Sequence, residues 1–225
     1  FCSFDCIYCE CGWNKDNHND KKLPNKEEVG EALEKRLREL DAAGTRVDSI
    51  TFSGNGEPTL NPEFPEIVDI TLKLRDELYP SAKVSVLTNA SQVGRKEVRE
   101  ALMKIDNPIL KIDSAIKEYV DFIDRPCSAY SLDKTIENIK LFKGNFILQT
   151  MFLRGTVDGK SIDCRNAEHC RRWIELVKEL KPREIMMYTL DRDTPAEDLQ
   201  KVTPAEMAEI AKPLVDAGFK VQIKG

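Results

Sequence analysis

The sequence predicts an α/β fold built on a parallel sheet. Three observations carry this. Short apolar or β-branched runs alternate with amphipathic helical segments from about residue 25 to the end, the rhythm of βαβ crossovers. The 225 residues suit one domain, and an α/β barrel can use all of them. Composition is that of a globular chain with a real core, 41% apolar and 32% charged. Six strands are visible, or seven with one upstream. That many units curl into an open or partial (β/α) barrel or lie as a doubly wound sheet. In either case the carboxyl ends of the strands carry the site.

Each element has its own signal. Asn25 followed by Glu28 is a capping pattern, and Val29, Leu33, Leu37 and Leu40 recur at helical spacing up to Gly44. Val47 to Ser53 reads as a strand. Asn61-Pro62 reads as a cap and N1 proline of a helix ending near Tyr79-Pro80. Ala82 to Thr88 is the next strand, Arg95 to Ile105 a helix and Ile109 to Asp113 a brief strand. Residues 114–130 have no clear pattern. Ser131 caps a helix to about Phe142, Asn145 to Phe152 is a strand, and 155–163 is a polar loop with two glycines. Asn166 to Leu180 is a helix stopped by Pro182, and Glu184 to Leu190 a strand. Thr203-Pro204-Ala205-Glu206 opens a helix ending at Gly218, before a last strand over 219–224. With no linker or short repeat, residues 1–225 read as a single domain.

Net charge is −5, from 34 basic and 39 acidic side chains. A general nucleic-acid binder would show a basic field; a local basic groove stays open. No stretch approaches the ~18 apolar residues of a membrane span, and no secretory signal is present. The expected setting is cytoplasmic.

Seven cysteines are too sparse for a disulfide scaffold, which runs above about 8% in a short chain. Four of them, Cys2, Cys6, Cys9 and Cys11, fall in the first eleven residues. Cys2-x3-Cys6-x2-Cys9 puts three thiolates on one tight loop. Three thiolates can hold three irons of a [4Fe–4S] cube and leave the fourth open to a small molecule. Adding Cys11 or His18 would instead give zinc four ligands. Free, reduced thiols are the plainest alternative. A functional loop at residue 2 needs an element to launch from, so a strand upstream of residue 1 is expected.

C-x3-C-x2-C with Tyr8 before the third cysteine resembles the radical S-adenosylmethionine (radical SAM) enzymes. The likeness continues in Thr51-Phe52-Ser53-Gly54-Asn55-Gly56-Glu57-Pro58 after the first visible strand, which resembles the family's Gly-Gly-Glu element, with Asn55 in place of the first glycine. Leu87-Thr88-Asn89-Ala90, Lys111-Ile112-Asp113, Arg125-Pro126 and Tyr188-Thr189-Leu190-Asp191 resemble, more weakly, the wyosine-type tRNA-modifying synthases.

The resemblance implies a partial (β/α)6 barrel whose first strand is missing from this sequence, so that 1–225 is an N-terminally incomplete radical SAM core domain. It implies a [4Fe–4S] cluster on Cys2, Cys6 and Cys9, with S-adenosylmethionine chelating the open iron. Reductive cleavage then gives methionine and a 5′-deoxyadenosyl radical, which takes hydrogen from a substrate. Tyr8 is expected to pack near cluster and adenine, or simply to cap the loop. Gly56, Glu57 and Pro58 are expected to hold the methionyl ammonium. Asn89, Asp113, Ser114 and Tyr188 are further cofactor-binding candidates, and Asn89, Asp113 and Gln149 the substrate-facing ones. A one-electron donor such as a flavodoxin or ferredoxin is the implied partner. Substrate classes left open are tRNA, a partner enzyme to be activated, and others. The non-catalytic alternative is a closed four-cysteine metal module using Cys11.

Other residues carry two readings. Gln149-Thr150 inside an apolar run needs polar partners, in a site or in the core. Arg125 and Arg154 bind an acidic substrate or form surface ion pairs. Cys164 and Cys170 with Cys127 or Cys11 could hold an auxiliary cluster, or are small structural thiols. His169 and His18 read as solvated.

Overall fold

The computed structural model describes residues 2–16 and 23–225. In chain order the elements are α1 (Lys26–Ala42), β1 (Ser49–Phe52), α2 (Phe64–Leu78), β2 (Lys83–Thr88), α3 (Lys96–Lys104) and β3 (Asn107–Lys111). They continue as α4 (Lys117–Ile123), α5 (Leu132–Lys140), β4 (Ile147–Met151), β5 (Leu153–Val157) and β6 (Lys160–Asp163). The last are α6 (Ala167–Leu180), β7 (Glu184–Tyr188), β8 (Leu199–Lys201), α7 (Pro204–Val215) and β9 (Val221–Lys224).

The six strands expected from sequence form one parallel sheet in the order β1-β2-β3-β4-β7-β9. Spatial order follows chain order without a reversal. A doubly wound sheet needs a reversal, because that is what sends helices to both faces. Right-handed crossovers that always step the same way put every helix on one face. The other face is left to curl round a cavity, and the fold is a partial (β/α) barrel. β1 and β9 do not pair with each other, so the barrel is open.

The helix starts follow capping chemistry. Asn25 and Glu28 form a reciprocal capping box at α1, as do Thr203 and Glu206 at α7. Ser131 and Asn166 cap α5 and α6. At α2 the expected start is displaced. Asn61 Oδ1 accepts from Glu63 N at 2.9 Å, closing a turn, and the helix begins at Phe64 with Pro65 in its first turn. A 3-10 turn, Pro58–Leu60, precedes Asn61.

Residues 155–163 are not a loop. β5 and β6 form an antiparallel hairpin, and β8 pairs on the other side of β5. The connection is Asp158-Gly159 with φ of 52° and 73°, the two positive values that a tight two-residue hairpin needs. Gly155 is fixed by β8: a Cβ there would sit 2.3 Å from Asp198 O.

The core lies between helices and sheet, with Phe64, Val68, Leu102, Leu110, Leu148, Trp173 and Ile185 essentially inaccessible. The N-terminal loop docks beside the end of α4. Ile7 N donates to Ile123 O (2.9 Å), Asp5 N to Asp124 O (3.1 Å) and Cys127 N to Ser3 O (2.8 Å). Asn14 Nδ2 ties the loop to itself through Cys2 O and Phe4 O at 3.2 and 2.9 Å. These bonds carry the cysteines to the carboxyl ends of the strands. Among the described residues, no helix is long and apolar enough to cross a membrane.

Candidate active site

A cavity of about 330 Å³ opens at the carboxyl ends of the strands. Cys2, Cys6 and Cys9 line it together with Tyr8, Gly56, Glu57, Asn89, Gln149 and Tyr188, so nine of the expected site residues, from five chain segments, share its wall. Cys11 lines it too, and its thiol donates to Asn55 Oδ1 at 3.3 Å.

Glu57 is buried at the first strand's exit. Its Oε1 accepts from Thr59 N (3.0 Å), Thr59 Oγ1 (2.5 Å) and Thr88 Oγ1 (2.6 Å), and its Oε2 from Asn89 N (2.7 Å). Burial pushes this carboxyl up, against the pull of those four donors. The carboxylate therefore clamps the end of β1 to the end of β2. Each carboxylate oxygen offers about two acceptor sites, so Oε2 keeps one for a further donor. Asn89 continues the chain of contacts, with Nδ2 3.0 Å from Ser3 Oγ and 3.5 Å from Cys2 Sγ. Pro58 does not line this cavity; it faces a second groove beside α1 and starts the 3-10 turn.

At β3 the structure shows a polar cluster. Lys111 Nζ lies 3.0 Å from Asp113 Oδ2 and 2.9 Å from Asp124 Oδ1, and donates to the Tyr8 hydroxyl. The Tyr8 hydroxyl, with one proton to give, lies against both carboxyl groups, 3.0 Å from Asp124 Oδ1. Asp113 Oδ1 accepts from Met151 N at 2.9 Å. Burial opposes charge on all of them. At Asp113 burial is the largest single effect, but Lys111 together with the hydrogen bonds from Tyr8, Asp124 and Met151 N outweighs it and holds the carboxyl below the ordinary range. At Asp124 burial and the charge of Asp113 prevail, and the carboxyl is pushed up to about 7. Asp113 thus lies beneath the cavity rather than on its wall. Ser114 is also away from it: fully buried, its hydroxyl accepts from Ile116 N at 2.9 Å. The register explains both, since these residues follow the end of β3 as the chain turns into α4.

The Gln149-Thr150 pair divides by strand alternation. Gln149 lines the cavity. Thr150 is on the helix side, donating to Ile112 O (2.7 Å) and accepting from Trp173 Nε1 (3.0 Å). It is a satisfied core residue. Arg125 and Arg154 pair with Asp158 and Glu206 at 2.7 and 2.9 Å. His169 is not solvated: it is fully buried, with Nδ1 2.9 Å from Cys164 O and its ring stacked on Tyr119 at 4.7 Å. The α6 cap carries it inward, one turn before Trp173. His18 lies outside the described residues.

Sequence reasoning left Lys111 and Asp124 without roles. A signal existed for the first: Lys111 and Asp113 are two apart at a strand end, so they share a face. Asp124 had none, because 114–130 showed no pattern.

Three cysteine side chains on one cavity are the donor set of a thiolate-held iron–sulfur cube. Burial pushes the Cys2 and Cys6 thiols up, so they give up their protons when a metal takes them. Among the described residues, no three Cys, His, Asp or Glu side chains converge on a single-ion site. A cube spreads its ligands over separate irons, so its three thiolates need not meet at one ion. The residues fit a cluster.

Comparisons with known proteins agree. The chain is 31% identical over 207 residues to a UPF0026 protein of Synechocystis, covering 89% of this chain and 69% of that one. It is 27% identical over 226 residues to a protein named GTPase Obg of Brachyspira hyodysenteriae, covering 99% of this chain and 31% of that one. The chain thus spans about a third of one relative and about two-thirds of the other. The structure of Streptococcus suis SuiB bound to S-adenosylmethionine superposes with a TM-score of 0.70 at 16% identity, over 100% of this chain and 48% of SuiB; at that identity the likeness is one of fold. The model of the radical SAM superfamily, whose members use S-adenosylmethionine and a [4Fe–4S] cluster, matches residues 1–163. The chain belongs to the radical SAM superfamily.

Proposed function

We propose that this chain is the catalytic core domain of a radical SAM enzyme, with Cys2, Cys6 and Cys9 holding a [4Fe–4S] cluster. The observation that carries the reading is that these three side chains and Glu57 line one cavity at the strand ends. When bound, the cluster supplies one electron for reductive cleavage of S-adenosylmethionine.

The protein's own share is placement. Glu57 Oε2, with its spare acceptor site, receives the methionyl ammonium as a charge-assisted contact. The backbone at Gly56 flanks it. Asn89 joins that region to the Cys2 side of the loop. Gln149, Met151 and Tyr188 line the far side of the cavity and face whatever molecule yields its hydrogen atom. The largely apolar wall excludes water from a reactive radical. A flavodoxin or ferredoxin is the class of electron donor that suits a low-potential cluster.

The test is anaerobic reconstitution of the whole protein. The expected result is about 4 iron and 4 sulfide per chain, with release of 5′-deoxyadenosine from S-adenosylmethionine under dithionite. A fully loaded cluster that releases none overturns the reading.

A further inference from the structure

We infer that Lys111 is the counter-charge of the Cys6 thiolate and thereby sets the reduction potential of the cluster; this rests on the iron–sulfur reading above. Lys111 is the last residue of β3, and its side chain is 12% exposed. Nζ lies 3.6 Å from Cys6 Sγ, 4.8 Å from the Tyr8 ring centre and 5.8 Å from that of Phe4. Two carboxylates, a phenol and a sulfur therefore surround one ammonium group.

An ion pair made only for stability would not need the sulfur. Lys111 has three donors. Asp113 and Asp124 take two, and the third falls between the Tyr8 hydroxyl and Cys6 Sγ. The protonated Cys6 thiol donates to Asp124 Oδ1 at 3.5 Å. A ligating thiolate has no S–H and cannot make that bond. It would face the Asp124 carboxyl group across 3.5 Å, and Lys111 is the cation that touches both. The same ammonium then favours the more negative, reduced cluster, since charge and hydrogen bonds at the ligand sulfurs set such potentials. Burial keeps the interaction from being screened.

The experiment is a potentiometric titration of the reconstituted whole protein followed by electron paramagnetic resonance. Iron content is measured beside it. Lys111→Gln is expected to lower the potential by at least 59 mV, a tenfold loss in the one-electron equilibrium. Lys111→Arg keeps the charge and is expected to stay within threefold of the wild type. Asp113→Asn unmasks the ammonium and is expected to shift the potential upward. A loaded Lys111→Gln protein within threefold of the wild type overturns the inference, as does an Arg variant that falls as far as Gln. If Lys111→Gln does not fold, Asp113→Asn decides: a raised potential supports the inference and an unmoved one ends it. A wild-type protein that binds no iron defeats the iron–sulfur reading instead.

Discussion

The two faces of β3 and β4 bury polar groups in different ways. On the inner face, Lys111 and Tyr8 on the cavity wall pack against Asp113 and Asp124 beneath it and reach Cys6. On the outer face, Thr150 bridges Ile112 O and Trp173, and His169 bonds to Cys164 O. The outer groups serve packing: each bonds to backbone or to an indole, and none lines the cavity. The inner groups include a charged pair, Lys111 and Asp113, at a depth where pairing seldom improves on an apolar core. Their position against a cysteine at a cavity edge distinguishes a site from a polar core. Burial of polar groups alone does not, because both faces have it.

The comparison breaks first at the sulfurs. Alanine at Cys2, Cys6 or Cys9 is expected to cut bound iron from about 4 per chain to near zero, while the outer-face thiols matter little. Cys164→Ala and Cys170→Ala are expected to leave iron unchanged. Iron and sulfide assays after anaerobic reconstitution check both. Loss of iron in the Cys164 protein would mean that the two faces share the metal.

Next comes the charge cluster. Lys111→Gln leaves Asp113 and Asp124 buried without their cation. Removing one partner of a buried pair costs about 3–5 kcal/mol. Denaturant unfolding of the cluster-free protein is expected to show a loss in that range, and one below about 1 kcal/mol would place the network in water. On the outer face, Thr150→Val strips a donor from Ile112 O and an acceptor from Trp173 Nε1. Two buried groups are left wanting, at about 1–3 kcal/mol, with no expected change in iron content.

The contrast also marks what the sequence made legible. The six parallel strands, the capped helix starts and the cysteine loop were readable because each rests on local chemistry: periodicity, a cap, a spacing. The Asp158-Gly159 hairpin is equally local: a two-glycine polar stretch reads as a loop, yet Asp-Gly between alternating flanks is a hairpin signal. Asp124 was beyond reach. It matters because α4 ends where the N-terminal loop docks, a contact between residues 118 apart in sequence at Cys6. The divided fate of Gln149 and Thr150 needed the strand's register, which fixes which of two neighbours faces inward.

The smallest effect is expected at His169, and its pH dependence is the sharpest contrast with the inner face. Burial holds the imidazole below its ordinary value of 6.5, against the pull of Cys164 O. In the unfolded chain it titrates near ~6.5. The folded state therefore binds fewer protons than the unfolded state between those two values, so stability rises with pH there. The contribution of His169 is present above ~6.5 and is lost as pH falls toward its folded value. His169→Phe keeps the ring on Tyr119 and removes Nε2, which is buried and makes no well-formed hydrogen bond among the described residues. It gives up the bond to Cys164 O and is relieved of the orphan nitrogen, so its net cost at pH 8 is expected within about 1 kcal/mol. The expected result is a thermal midpoint close to the wild type at pH 8 and a shallower fall between pH 7 and pH 5. A variant that falls as steeply as the wild type would show that the acid sensitivity lies elsewhere.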